Sequence, residues 1–416
     1  MMIRDSRYRF TLCLILFMIF QVIQANVISA GETPCLFYEI PDSKQDKNLR
    51  QSTNNDRMRV AVDFSLIEPA GRQRKKISAP LPGRKVILEK DTLEQRENGD
   101  YTWFGKVHGK RLSTVVMTVA DGYLYGHIEI NGETYSIGPE SGNYLVVKED
   151  YSKALPMCDG GKVPEIKNKK TQAKRAGSVQ VDSGEEIDVL VLYTKQLKKE
   201  YGSKLKAKIQ SFIDIGNRGF KNSDVNTRLR LVHTELYKDK SAKESANISD
   251  ALYYITDAPA VKEIRDNYKA DLVCLMRYYR GGESCGTGWM MNWVNSYFEK
   301  YGFSVVEVKD FTNGLYCDSR TFIHELGHNF GCNHDRPHAS SSGAFLYSYG
   351  YSYKKQFGTI MSYVRPNITY FSNPNKKYKG HTIGKPESSS KAAYNALTIN
   401  NTKETVSNFR VRNAGE

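Results

Sequence analysis

The stretch HELGHNFGCNHD, from His324 to Asp335, places three of the chain's eight histidines close together and constrains the fold around them. His324 and His328 are four residues apart, so on a helix they project from one face. Neutral imidazole is a good zinc ligand, and a catalytic zinc takes three protein ligands while one position stays open for water. A helix continued past Phe330 would carry His334 away from the other two. Gly331 can adopt the left-handed conformation that ends a helix and turns the chain back. The expectation is a helix through TFIHELGHNF, capped by Asp318 or Ser319, with His334 swung in to complete a zinc site. Glu325 cannot share the direction of His324 but can reach a metal-polarised water, which makes it the candidate general base. The bland alternative is three histidines that share a polar surface.

A chain of 416 residues exceeds one ordinary domain and can build two, each with a core. Its formal charge of +14 raises the question of an acidic partner. The basic residues are spread along the whole chain and the aromatic-basic pattern of an RNA-binding sheet is missing, so no nucleic acid partner is expected. Arg4, Arg7 and Arg9 precede the apolar run Phe10 to Ile23. That run is short for a membrane span and reads as a secretory signal, with Ala25 or Ala30 before the cut; an uncleaved anchor is the alternative. No other stretch is long enough to span, so the protein is expected outside the cell without stable membrane insertion. Cys13 lies in the leader, which leaves Cys35, Cys158, Cys274, Cys285, Cys317 and Cys332 in an oxidising compartment where disulfides form. The four in the second half allow three pairings. Glycosylation sequons stand at Asn247, Asn367 and Asn400.

One seam divides the chain. KVPEIKNKKTQAKR, from Lys162 to Arg175, has no apolar period and reads as an exposed linker, with Lys174 and Arg175 as a dibasic processing site. An uncut linker is the alternative, and RQRKK from Arg72 to Lys76 reads as a solvated loop. Before the seam the pattern is β-rich: Val60, Val62, Phe64 and Leu66 alternate, and His127 to Ile137 reads as a hairpin turning on Asn131 and Gly132. No catalytic cluster stands there, and His108 and His127 read as surface or sheet residues. After the seam, Ile187, Val189 and Val191 mark a strand, while Leu205, Ile209, Phe212, Gly216 and Phe220 recur at helical spacing. Thr227 to Tyr237 and Ala270 to Met276 read as strands, and Pro259 to Tyr268 as a helix. Strands alternating with helices put this half in the α/β or α+β class.

The histidine motif extends to TIMSY, Thr359 to Tyr363, and the whole pattern resembles the metzincin metallopeptidases with their Met-turn. The resemblance covers most of residues 187–410, including Tyr370 to Gly384 after the Met-turn and a closing helix within Ala392 to Arg410. It implies an α+β metzincin catalytic domain, a twisted mixed sheet with an active-site helix, preceded by a β-rich propeptide domain. Residues 1–30 would be signal, 31–175 propeptide and 176–416 catalytic. Met361 would form an apolar floor beneath the zinc histidines, and substrate would face a strand near Gly281 to Met290. Asp335 resembles the bracing aspartate of the adamalysin or reprolysin branch. Tyr363 resembles astacins and serralysins, where the tyrosine hydrogen-bonds the transition state or approaches zinc; a plain core or surface tyrosine is the alternative.

The resemblance also implies Cys285 paired with Cys317, and hence Cys274 with Cys332, which would pin the turn carrying His334. LPMCDGG, Leu155 to Gly161, resembles a cysteine switch, in which the Cys158 thiolate takes the open zinc position. A Cys35 to Cys158 disulfide is the rival. The implied protein is a secreted, monomeric zinc metalloendopeptidase made as a zymogen, with protein or peptide substrates and its own propeptide as inhibitor. The competing class is a toxin-like or matrix-binding protein whose basic surface carries the effect. His233, His338 and His381 read as ordinary residues, although His381 sits near the expected pocket.

Overall fold

The computed structural model describes residues 33–41, 56–71, 74–165, 182–311 and 314–411. The leader and the Lys174–Arg175 site lie outside the described residues. Strands in the N-terminal half are β1 (Phe37–Glu39), β2 (Arg57–Val62), β3 (Lys76–Leu81), β4 (Arg84–Gln95), β5 (Tyr101–Val107), β6 (Thr114–Ala120), β7 (Tyr123–Ile130), β8 (Glu133–Glu140) and β9 (Asn143–Lys148). They form one nine-stranded sheet in the order β1-β2-β9-β8-β7-β6-β5-β4-β3. Leu36 N donates to Ser78 O at 2.8 Å and Ser78 N to Pro34 O at 2.7 Å, so the two outer strands meet and the sheet curls on itself. The β7–β8 hairpin turns where expected, with Asn131 at φ 53° and Gly132 at φ 85°, the paired left-handed conformation of a tight hairpin. The alternation from Val60 to Leu66 is only half a strand. β2 stops at Val62, and the Asp63 carboxylate accepts from Ser65 N at 3.1 Å and winds Phe64–Leu66 into a 3₁₀ turn.

In the C-terminal half the strands are β10 (Glu186–Tyr193), β11 (Arg228–Leu236), β12 (Leu272–Tyr278), β13 (Gly286–Gly288) and β14 (Phe303–Val308), in the order β11-β10-β12-β14-β13. All pairings are parallel except β13, which runs antiparallel along the edge of β14. The helices are α1 (Lys195–Tyr201), α2 (Leu205–Asn222), α3 (Ile248–Asp257), α4 (Pro259–Asn267), α5 (Thr321–Asn329) and α6 (Asn395–Ser407). This half is a mixed α+β unit whose core joins Val189, Val191, Leu275, Val305, Phe322 and Met361. No described helix is long and apolar enough to cross a membrane.

α2 is the shared element. One side packs Phe212 against Phe322 of α5, ring centroids 6.3 Å apart, and another packs Ile215 against Phe104 and Val116 of the N-terminal sheet. Strand alternation explains why β6 is buried on both faces: Val115 and Met117 enter the curled sheet, and Val116 faces α2. Between the halves, buried Asp214 accepts from Arg96 Nη2 at 2.7 Å, Thr102 Oγ1 at 2.6 Å and Thr118 Oγ1 at 2.7 Å.

Cys285 and Cys317 form a disulfide that joins the start of β13 to the segment before α5. The Cys274–Cys332 pairing is corrected: both thiols are free and buried. The register of β12 sets Cys274 opposite Ser304 of β14, whereas Cys332 directs its sulfur to Asn395 O at 3.7 Å, in another part of the core. Cys35 is also free and donates to Phe37 O at 3.1 Å, so the Cys35–Cys158 rival is not formed either.

Candidate metal centre

The helix expected from the histidine spacing is α5, buried along its whole length. Its start differs from expectation. Arg320 holds the cap position without a side-chain cap, because the Asp318 carboxylate accepts from Arg320 N at 2.8 Å and from its guanidinium at 2.8 and 2.7 Å. The carboxylate thus holds both the backbone N–H and the guanidinium of Arg320 just ahead of the first helical residue, and Ser319 Oγ finds no hydrogen-bond partner among the described residues. At the other end Gly331 takes φ 87°, its N donates to His328 O at 2.9 Å, and the chain turns back. A Cβ at Gly331 would stand 2.5 Å from that of Ala344, so both conformation and space call for glycine.

The turn brings His334 to its partners. His334 Nε2 lies 3.1 Å from Nε2 of both His324 and His328. The second nitrogens face carbonyls, His324 Nδ1 to Ile360 O at 2.8 Å and His328 Nδ1 to Cys332 O at 2.9 Å. A carbonyl only accepts, so each Nδ1 carries the proton and each Nε2 presents a lone pair inward. Burial lowers the pKa of His324 to about 4 and that of His328 to about 3, and pushes His334 down as well, with its neighbouring histidines adding to the effect. All three rings are therefore neutral near pH 7, the form that ligates.

Cys158 closes the group. Its buried Sγ is 3.5 Å from His328 Nε2 and 3.5 Å from Glu325 Oε2, and the four potential ligand atoms lie within 4.8 Å of one another. Zinc bonds of about 2.0–2.1 Å to nitrogen and about 2.3 Å to sulfur give tetrahedral edges of roughly 3.3–3.6 Å; the 3.1 Å nitrogen–nitrogen and 3.5 Å sulfur–nitrogen contacts lie near those edges, and three nitrogens with one sulfur are a donor set that this ion takes. Burial and then Glu325 raise the Cys158 thiol well above its usual value, a cost that a cation at this point would offset. Burial likewise raises Glu325, whose Oε1 has no hydrogen-bond partner among the described residues.

The remaining expected residues surround this point. Met361 is fully buried, with Sδ only 2.7 Å from where a Cβ on Gly327 would start, so it lies against α5. Asp335 accepts from His338 Nδ1 at 2.8 Å, Ser352 Oγ at 2.9 Å and Tyr363 N at 3.3 Å, and its own N donates to Met361 O at 3.1 Å. It thereby ties the turn bearing His334 to the Met361 segment, with His338 as a participant the sequence reading had set aside. Tyr363 packs its ring 4.5 Å from that of His334 and donates its hydroxyl to Cys158 O at 3.1 Å. His233 stacks on Tyr268 and His381 on Tyr353, apart from the cluster. Asn367 is fully buried and donates to Thr359 O at 3.1 Å and Ser362 O at 2.7 Å, so that sequon has no room for a glycan in the folded chain.

The segment carrying Cys158 lies in a cleft along β13. Cys285 N donates to Pro156 O at 2.9 Å, Asp159 N to Gly286 O at 3.0 Å, Lys162 N to Gly288 O at 2.9 Å and Met290 N to Lys162 O at 2.7 Å. The seam is thus corrected at its start, since Lys162 is docked by backbone bonds rather than loose. The sequence reading missed Gly286, where a Cβ would meet Glu325 Oε1 at 2.3 Å; the GTG run of β13 was its only signal. It also missed Arg320 and Arg365, because burial of a charge leaves no periodic trace.

A helix with two histidines, a glycine turn delivering a third and a glutamate beside them defines a metal-dependent hydrolytic centre. Residues 183–372 match the profile of Reprolysin_5, Metallo-peptidase family M12. A peptidyl-Asp metalloendopeptidase of Xanthomonas campestris pv. campestris is 26% identical over 376 residues, 84% of this chain and 85% of the relative. A chain in a chaperone–substrate complex aligns over 69% of this chain and 39% of its own length, at 18% identity and TM-score 0.44. Metalloproteinase-II from Bacteroides fragilis aligns over 71% of this chain and 86% of its own, at 12% identity and TM-score 0.42. The family profile, the sequence relative and the site together support a metalloendopeptidase.

Proposed function

We propose that the chain is a secreted zinc metalloendopeptidase of metzincin type, held as a zymogen by its own N-terminal half. The observation that carries this reading is the convergence of the Cys158 sulfur on three inward-facing histidine nitrogens. In this reading residues 1–30 are the signal, 31–175 the propeptide and 176–416 the catalytic domain. His324, His328 and His334 hold Zn²⁺, oriented by Ile360 O and Cys332 O. A bound zinc supplies Lewis-acid polarisation and lowers the pKa of bound water. Glu325 takes the proton of the attacking water and passes it to the leaving nitrogen. The Tyr363 hydroxyl, now on Cys158 O, donates to the oxyanion that develops when a substrate carbonyl takes that place. The name of the Xanthomonas relative motivates the substrate class, peptidyl-Asp bonds in proteins or peptides.

The test compares the purified chain with its Glu325→Ala variant for zinc content and for cleavage of an unfolded protein, with and without chelator. The expected result is chelator-sensitive cleavage after processing that the variant loses. A processed, zinc-loaded wild type that cuts nothing would sink this reading.

A further inference from the structure

We infer that Arg365 is the residue that reads the acidic side chain of the substrate; this rests on the peptidyl-Asp reading above. Arg365 lies two residues beyond Tyr363 on the wall of the cleft. Its Nη2 donates to Leu155 O, and its Nη1 approaches Asp318 Oδ2 at 3.4 Å. Leu155 is three residues before Cys158, on the same strip of chain that fills the cleft along β13. One edge of the guanidinium is therefore anchored to the catalytic half, and the other faces whatever chain occupies the cleft.

Charge makes the case sharper. Both carboxylate oxygens of Asp318 are already held by Arg320, at 2.8 and 2.7 Å. Arg320 itself is fully buried, donates further to Asn367 O and stands 3.6 Å from the Glu129 carboxyl. The C-terminal half thus brings two guanidinium groups against the single carboxylate of Asp318. Glu129, which faces Arg320 in the closed chain, belongs to the N-terminal half and departs with it. Departure leaves positive charge at the cleft and vacates Arg365 Nη2, which with Nε forms one donor edge of the guanidinium. A carboxylate can accept both donors in a fork, whereas a backbone carbonyl such as Leu155 O, or an asparagine amide, offers one oxygen. The preference this builds is for Asp over Asn at equal size.

The experiment uses the processed full-chain protein and paired fluorogenic peptides, each carrying a single Asp or, in its twin, Asn. Wild type, Arg365→Gln and Arg365→Lys are compared by kcat/KM. Binding of the same peptides to the Glu325→Ala protein, with and without Arg365→Gln, is read by fluorescence anisotropy. The expected result is that Arg365→Gln lowers the Asp-to-Asn ratio by about 10- to 100-fold, as loss of a charge-assisted hydrogen bond does. Anisotropy should show the same selective loss, with partial recovery in Arg365→Lys, which keeps the charge without the fork. An unchanged ratio, or equal loss on both twins, would overturn the assignment to Arg365 while leaving the peptidase reading intact. A wild type that cleaves both twins equally would overturn the peptidyl-Asp substrate class and this inference with it. Thermal melts and zinc content verify folding, and Arg365→Lys gives the same comparison should Arg365→Gln not fold.

Discussion

Asp214→Ala, on the long helix α2, tests how the two halves of the chain hold together. Alanine keeps the helix and removes the acceptor shared by Arg96, Thr102 and Thr118 of the N-terminal sheet. Removing one partner of a buried ion pair costs about 3–5 kcal/mol. Arg96 keeps 25% of its side chain exposed, so water recovers part of its charge and the lower end of that range applies. Docking should weaken by about 3 kcal/mol, a factor of roughly 100 to 200. The assay is alkylation of Cys158, which is buried in the cleft and reacts only when the segment lifts away. With sites mapped by mass spectrometry, Cys158 labelling should accelerate about 100-fold, while Cys274, inside the C-terminal core, keeps its wild-type rate. Acceleration below about threefold would refute the reasoning, since the opened population would then be independent of the Asp214 contacts.

Cys158→Ala should give a protein that cleaves peptide before any processing, checked by comparing intact and trimmed enzyme on one substrate. Burial, with Asp318 adding to it, pushes the Glu149 carboxyl up to about 7 against the opposing pull of Arg320. A raised carboxylate favours the folded form at acid pH and loses that contribution as pH rises to about 7, so latency should weaken from pH 5 to 8. Glu149→Gln should flatten that profile in the Cys158 labelling assay. Gly286→Ala puts a Cβ 2.3 Å from Glu325 Oε1, so kcat should fall at least about tenfold with zinc content retained, measured by steady-state kinetics and metal analysis.

The histidine cluster was legible because its chemistry is local: a spacing of four sets a helical face, and one glycine sets the turn that returns His334. Strand and helix positions after the seam were legible for the same reason, since β10, α2, β11 and β12 each carry their own apolar period. Tertiary competition was not. Asp318 reads as the helix cap, but the helix starts later, with Arg320 at the cap position and its backbone N–H and guanidinium both on the Asp318 carboxylate; Phe64 reads as strand until Asp63 bends the backbone. Cys274 and Cys332 were the pair left over once the resemblance implied Cys285 with Cys317, but strand register and the turn after α5 send their sulfurs to different neighbours. Whether two side chains from distant segments meet depends on packing, which single-segment patterns do not encode.

In the zymogen proposed above, the edge of β13 would link inhibition to catalysis. An edge strand offers unpaired N–H and C=O groups that take up an extended chain. Here residues 156–162 take them up, with Cys158 over the histidines and Leu155 on Arg365. A substrate reaching Glu325 in the same cleft would need that space, so in the proposed zymogen this segment and substrate exclude each other. If the segment inhibits as proposed, it competes in the intact chain at the effective concentration of a tethered ligand, on the order of millimolar. Cutting the seam replaces that with its actual concentration. A cleaved but unseparated preparation should therefore stay latent when concentrated and gain activity on dilution, with an onset that shifts to higher concentration in Asp214→Ala. Progress curves across a dilution series measure this directly. Activity per molecule that is independent of dilution immediately after the cut would mean that cleavage itself dismantles the segment, and that docking along β13 contributes nothing to latency.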